Sequence, residues 1–195
     1  MFNVAMQLLA DVRRIFNRRG FSGTSFRAVA SELGISPGHL HYHFRTKELA
    51  LEALFQEIVG ATEGMFVSGV DPASLPRAWF RLQHEYLFFF RELPAILLQH
   101  PTLRRRYREI AKKRVGQFQT LLSNLSAAGL VIGEPESGFF DRFALLLWHH
   151  CNSALSLLPP EDTAIAQAEA MLHTLLLPVL TENGRALLRT VQGNE

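Results

Sequence analysis

The densest run of side chains able to do chemistry is Ser36-Pro37-Gly38-His39-Leu40-His41-Tyr42-His43. Its imidazoles and phenol could ligate a metal, move protons or hydrogen-bond to nucleic acid, and spacing decides between these. On a helix, residues 39 and 43 share a face while residue 41 projects roughly 160–200° away, so the three imidazoles cannot converge on one ion. The overlapping Gly34-Ile35-Ser36-Pro37-Gly38 fits the G-x-S-x-G nucleophile elbow, but that pattern needs a strand before the serine. Helical periodicity lies on both sides here, and Ser36 reads as a cap. His149, His150 and Cys151 are adjacent, so at most two share a helix face. With His84, His100 and His173 they would form a metal or thiol sensor, or else line a pocket or an interface. No paired carboxylates and no nucleophile-and-base pair are found, so no catalytic set, metal or cofactor is expected. What remains for His39, His41 and Tyr42 is hydrogen bonding, since a histidine of either charge can donate to a phosphate or a guanine edge.

The elements that must present these groups can be read directly. Phe26, Val29, Ala30 and Leu33 recur at helical spacing, with Thr24 or Ser25 as N-cap and Gly34 placed to end the helix in a left-handed conformation. Ser36 caps a second helix with Pro37 at its first position, where a missing N–H costs nothing. At about 100° per residue, Leu40 and Phe44 point inward with Ile35. Gly38 and Tyr42 point outward, flanked by His39 and His41. Two short helices joined this way are a helix-turn-helix, whose second helix enters the DNA major groove.

The run Gly34 to Leu49, with Phe16-Asn17-Arg18-Arg19-Gly20-Phe21 upstream, closely resembles the DNA-binding domain of TetR/AcrR-type bacterial transcriptional regulators. The resemblance covers roughly residues 4 to 55. One position departs: His41 stands where the family usually has a tyrosine that touches phosphate, while Tyr42 keeps its place. The resemblance implies a homodimer, two recognition helices on a pseudo-palindromic double-stranded operator, and a small-molecule effector bound in the second domain. Bases would be read from the face holding Pro37, Gly38, His39, His41 and Tyr42. Phosphates would be held by Thr24, Ser25, Arg27, Tyr42, Thr46 and Lys47, with Ser36 beside them.

Charge distribution agrees with this. The chain of 195 residues carries a net charge of only +2, but residues 1 to 48 hold seven Lys/Arg against three acids, the electrostatic footprint of a phosphate-binding module. Hydrophobic content of 48% suffices for a sizeable core and a charged fraction of 19% is too low for a disordered chain. One cysteine excludes an internal disulfide framework and suits a reducing cytosol. No signal peptide is read at the N-terminus, and no apolar run approaches the ~18 residues of a membrane span. A cytoplasmic protein without membrane contact is expected.

The remaining periodicity predicts an all-α fold. A first helix spans 3 to 19, a fourth starts at Thr46 and runs to about Val59, and a Gly/Pro-rich loop holding Gly60, Gly64, Gly69, Pro72 and Pro76 follows. Further helices are predicted over 77–92, 95–99, 102–128, 139–158, 161–180 and 183–192. The chain divides into a three-helix DNA-binding domain, 1–46, and a larger helical bundle, 47–195, for effector binding and dimerisation. Trp79, Phe80, Tyr86, Phe90, Phe118, Trp148 and His149 are the candidate pocket residues. The basic cluster from Arg104 to Arg114 reads as a solvated face, with an electropositive rim for an acidic ligand or the DNA backbone as the alternative. Two late helices that are apolar almost all round need more partners than one small bundle supplies. A four-helix dimer seam is therefore expected, with Phe139, Phe143, Leu147, His150, Leu157, Leu172, Leu175 and Leu176 at it. The functional expectation is a ligand-responsive, dimeric transcriptional repressor without enzymatic activity. The alternatives are a metal- or thiol-responsive sensor on the same fold, or a helical interaction module that does not bind DNA.

Overall fold

The computed structural model describes residues 2–67, 74–156, 158 and 163–193. Among these the chain is all α. The helices are α1 (Phe2–Arg19), α2 (Phe26–Glu32), α3 (Pro37–His43), α4 (Lys47–Val67), α5 (Leu75–Glu85), α6 (Leu87–Arg91), α7 (Leu93–Gln99), α8 (Pro101–Ala127), α9 (Phe139–Ser153), α10 (Thr163–Leu176) and α11 (Glu182–Gly193). Tight 3-10 turns follow α9 and α10, and one isolated bridge joins Val131 to Leu180. No helix among the described residues is long and apolar enough to cross a membrane.

Two apolar cores organise the molecule. The first gathers Val12 and Phe16 of α1, Val29 of α2, Leu40 of α3, Leu54 of α4 and Phe88 of α6. It therefore runs across the 46/47 boundary and ties the small N-terminal bundle to α4, α6 and α7. The second gathers Phe80 of α5, Leu122 of α8, Leu147 and Trp148 of α9 and Ala168 of α10. Met65, near the end of α4, packs against both.

Several element boundaries differ from expectation: Pro76 of the expected loop lies in the first turn of α5, and α9 and α10 end at Ser153 and Leu176, short of residues 158 and 180. Helix α4 does not stop at residue 59 but continues through Gly60 and Gly64. Each glycine costs a helix about 1 kcal/mol relative to alanine; burial of Ile58 and Thr62 on the same helix offsets this. Gly69 and Pro72 of the expected loop lie outside the described residues. The segment 77–92 is not one helix, because it breaks at Tyr86 (φ −115°, ψ 38°). The side chain of Asn17 fills the break: its Nδ2 donates to the Glu85 carbonyl (2.8 Å) and its Oδ1 accepts from the Phe88 N–H (3.0 Å). These are groups that a continuous helix would pair internally.

Candidate nucleic-acid interface

The turn between α2 and α3 forms as its residue types require. Ser25 Oγ accepts the Ala28 N–H and Ser36 Oγ accepts the His39 N–H, each at 3.1 Å. Gly34 takes φ +66°, a region in which only glycine is unstrained. Leu40 is fully buried while Tyr42, two residues on, is 76% exposed, so α3 offers one face to the core and the other to solvent. Pro37, Gly38, His39 and His41 are exposed with it. The rings of His39 and His43 meet edge-on at 5.1 Å, and Tyr42 meets His43 at 5.2 Å.

The predicted contact residues divide by what their hydrogen-bonding groups already do. Ser25, Ser36 and Thr46 all cap helices by accepting, Thr46 from the Leu49 N–H at 3.2 Å. Ser25 and Ser36 keep the O–H to donate outward, whereas the Thr46 O–H is shared with the Glu48 carboxylate. Thr24 has no O–H to spare, which corrects the expectation that it holds a phosphate: it is buried, and its Oγ1 donates to the Gly20 carbonyl at 2.7 Å. Lys47 spends two of its three N–H donors on the carbonyls of Phe21 (3.0 Å) and Thr24 (3.1 Å), and its ammonium lies 4.1 Å from the Phe21 ring centroid. Its first role is to tie the start of α4 to the turn before α2, leaving one donor for a phosphate. His41 leans back over Phe26, ring centroids 5.4 Å apart, and its Nδ1 donates to the Arg45 carbonyl at 3.0 Å. When neutral it presents outward only the acceptor Nε2.

The basic excess is largely consumed internally. Arg13 pairs with Glu85 (2.6 Å), Arg14 with Asp11, and Arg18 and Arg19 both with Glu32. Arg27 and Arg45 are exposed, and among the described residues neither has a carboxylate partner. Arg45 was not among the predicted contacts. The signal for it in the sequence is a cation immediately after the reading helix.

A second set of contacts fixes this head on the rest of the protein. The Glu92 carboxylate, at the α6–α7 junction, accepts the N–H groups of Phe21 (2.6 Å) and Ser22 (2.8 Å). Gly20 makes room for it, since a Cβ there would lie 2.5 Å from Glu92 Oε1, and its φ is +77°. Arg13 covers the Tyr86 ring at 4.7 Å while the Tyr86 hydroxyl donates to Glu57 (2.9 Å). Burial, with Glu57 beside it, pushes the Tyr86 pKa up to about 12. Sequence pattern gave no sign of the Glu92 contacts, made across some 70 residues.

In the larger bundle a cavity of about 130 Å³ lies between α4, α5, α8, α9 and α10, walled by Met65, Trp79, Phe118, Leu122, Leu147 and Leu172 among others. Trp79 and Phe118, two of the candidate pocket residues, thus share one cavity wall. The other expected pocket residues are elsewhere. Phe80 is fully buried in the core, with its ring near His150 at 6.3 Å, and Tyr86 belongs to the first core. Phe90 and Trp148 border a separate void of about 20 Å³. His149 is exposed on the outer side of α9. The expected seam residues Phe143, Leu147 and Leu172 are buried within the monomer, and Leu147, Leu172 and Leu176 face the cavity, so none of these four is free for a partner in the way expected. Phe139 stacks on Phe143 at 5.7 Å, and Leu157 lies outside the described residues. His150 and Leu175 do line an open groove, with Met171 and Pro178. The large apolar side chains that α9 and α10 turn outward are Leu145, Leu146 and Met171. A slip of one residue on a helix that is apolar all round exchanges Leu147 for Leu146.

Among the described residues no group of three or more His, Cys, Asp or Glu could hold a metal ion. Cys151 is buried, and burial pushes its pKa up to about 12. Of the basic cluster on α8, Arg106 pairs with Glu52 and Lys113 with Glu63 (2.8 Å). Arg114 is fully buried, contrary to a solvated face, and donates to Thr62 (2.9 Å) and Gln117 (2.7 Å) beside Glu63 (3.2 Å).

Comparison with known proteins agrees with this architecture. Residues 52–188 match the family described as bacterial transcriptional repressor, TetR, and residues 8–58 match the N-terminal domain of bacterial regulatory proteins of the tetR family. Over 48 residues the chain is 38% identical to the HTH-type transcriptional regulator UidR of Escherichia coli (strain K12), a stretch covering 25% of this chain and 24% of that protein. The chain thus aligns with about a quarter of that relative's length. The fold resembles a TetR-family transcriptional regulator from Marinobacter aquaeolei VT8, with a TM-score of 0.85, 24% identity and 97% of both chains covered. It also resembles the ketosteroid transcriptional regulator KstR2 of Mycobacterium tuberculosis, with a TM-score of 0.62, 19% identity, and 91% and 95% of the two chains covered. A helix-turn-helix with its outer face free, fused through α4 to an all-α bundle and matched by both family descriptions over most of its length, identifies this chain as a member of the TetR family of DNA-binding transcriptional regulators.

Proposed function

We propose that the protein is a cytoplasmic, homodimeric repressor. It holds a pseudo-palindromic operator with two copies of α3 and releases it when a small molecule occupies the cavity beneath α4. The observation that carries this reading is the two-sidedness of α3: Leu40 is fully buried and Tyr42 is 76% exposed. Around that face stand exposed Arg27 and Arg45, the free O–H donors of Ser25 and Ser36, and Thr46, whose hydroxyl is shared with Glu48. Tyr42 and His39 select bases; the arginines and hydroxyls hold phosphates.

Dimerisation uses the outward face of α9 and α10, where Leu146 is 55% and Met171 48% exposed and the groove at His150 and Leu175 can receive the same face of a second copy. Such an isologous seam sets the distance between the two reading helices. Helix α4 connects that distance to the cavity: Met65 is in the cavity wall, and Lys47, roughly 27 Å away at 1.5 Å per residue, is bonded to the head. A ligand moves the heads only by binding one arrangement better than the other.

A gel shift with duplexes enriched from a random pool, run at ~50 and ~200 mM salt, tests the reading. Affinity falls steeply with salt, as counterion release requires, and falls at every sequence when Arg45 is removed. Binding that is absent at ~50 mM salt, or insensitive to salt, overturns it.

A further inference from the structure

We propose that the effector is an uncharged hydrocarbon-like molecule of about six to eight carbon atoms. This rests on the reading of the 130 Å³ cavity as the effector site and names the chemistry that the site accepts. Among the described residues that wall the cavity none is charged. The N–H donors nearby are already committed: the Trp79 indole N–H donates to the Cys151 carbonyl at 2.9 Å, and the Gln83 amide N–H donates to the same oxygen. Gln83 Oε1 is buried without a partner, but Gln83 is not part of the cavity wall. The Cys151 thiol stays protonated at neutral pH, because burial disfavours the thiolate. A charged ligand would lose its hydration here and find no counter-ion in the wall.

The nearest polar groups do not rescue a charged ligand. Thr62, Tyr107, Arg114 and Asn152 border the separate void of about 20 Å³, which Trp79 also lines. That volume holds about one water molecule. Its groups bond to one another and to their neighbours: Tyr107 donates to Asn152 (3.3 Å), Asn152 to the Trp148 carbonyl (2.7 Å) and Arg114 to Thr62 (2.9 Å). Glu63, 3.2 Å from Arg114, balances its charge. Size sets the other limit. A cavity of about 150 Å³ lined by aliphatic and aromatic side chains stays dry and takes up benzene, so a volume near 130 Å³ suits a single six-membered ring or a branched chain of similar bulk.

The experiment uses the full-length protein and its own fluorescence, because its two tryptophans are Trp79 in the wall and Trp148, 5.9 Å away ring to ring. Toluene, benzoate and benzylammonium are titrated in turn while emission and melting temperature are recorded. The expected result is a saturable response to toluene and none to either ion up to about a hundredfold higher concentration. Leu147→Phe fills the cavity and abolishes the response. Leu125→Phe, at a half-buried lining position that tolerates change, weakens it about tenfold or more. Benzoate or benzylammonium binding as tightly as toluene overturns the proposal, as does a toluene response that survives both fillings, or no saturable response at all. The same titrations on the complex with an enriched duplex separate the two readings. Toluene that binds but leaves the duplex bound sinks the regulatory reading and keeps the ligand class. A charged compound that binds in the cavity and releases the duplex does the reverse.

Discussion

At the scale of single residues, the interface is decided by what each polar atom has left to give. Lys47 and Arg45 sit two positions apart and look interchangeable as phosphate contacts, yet the Lys47 ammonium is already bonded to two carbonyls. Arg45→Ala is therefore expected to cut the slope of log K against log salt by about 0.9 with the melting temperature nearly unchanged. Lys47→Ala should lower stability by about 1–3 kcal/mol, as befits lost charge-assisted hydrogen bonds, and salt titrations with parallel melts separate the two. The same accounting argues against a thiol sensor. Cys151 keeps its proton to about pH 12, against 9.0 for an ordinary thiol, so labelling of the folded protein by a disulfide reagent at pH 8 should be slow and accelerate on unfolding. Between those two pH values the unfolded chain loses this proton and the folded chain retains it, so stability falls as pH rises across the window. Residue types and spacing revealed the caps, the glycine turn and the outward Tyr42. They could not reveal that Thr24 is spent on Gly20 or that His41 turns back to Arg45, because those choices are made by neighbours in space.

At the scale of elements, the DNA-binding head is held by two attachments. One is α4, which periodicity disclosed from its cap onward. The other is the pair Asn17 and Glu92, which joins α1 and the turn before α2 to the breaks around α6. Glu92→Ala removes an acceptor from two backbone N–H groups, at a cost of about 2–3 kcal/mol. That corresponds to a drop of several degrees in melting temperature for a chain of this size. Glu92→Gln, which keeps one acceptor, should lose less. If both leave the melt unchanged, the clamp is not structural. Helix existence was legible throughout, because the apolar stripes are long. The break at Tyr86 was not, because an asparagine from another helix supplies the hydrogen bonds that a continuous helix would make. The extension of α4 past Gly60 was hidden for a related reason, since burial outweighs glycine's preference.

At the scale of the whole molecule, reading a two-fold operator needs two copies. Leu146 and Met171, both about half exposed, should lie at the seam. Leu146→Glu is expected to yield a folded monomer by sedimentation, with DNA affinity falling toward the non-specific level, since one head makes half the contacts. Leu147→Glu, directed into the monomer's own cavity wall, should instead prevent folding. The sequence made a pair of apolar helices legible but not which of their faces is outermost, because both faces carry leucine. The central claim, that paired α3 helices read DNA, is tested most directly by enriching duplexes from a random pool with the intact protein and with Tyr42→Ala, and sequencing both. The expected outcome is an inverted repeat whose half-site centres lie about one helical turn, ~34–36 Å, apart, with the preferred bases altered or lost in the variant. A single unrepeated site, no enrichment, or the same preference with and without Tyr42 would contradict it.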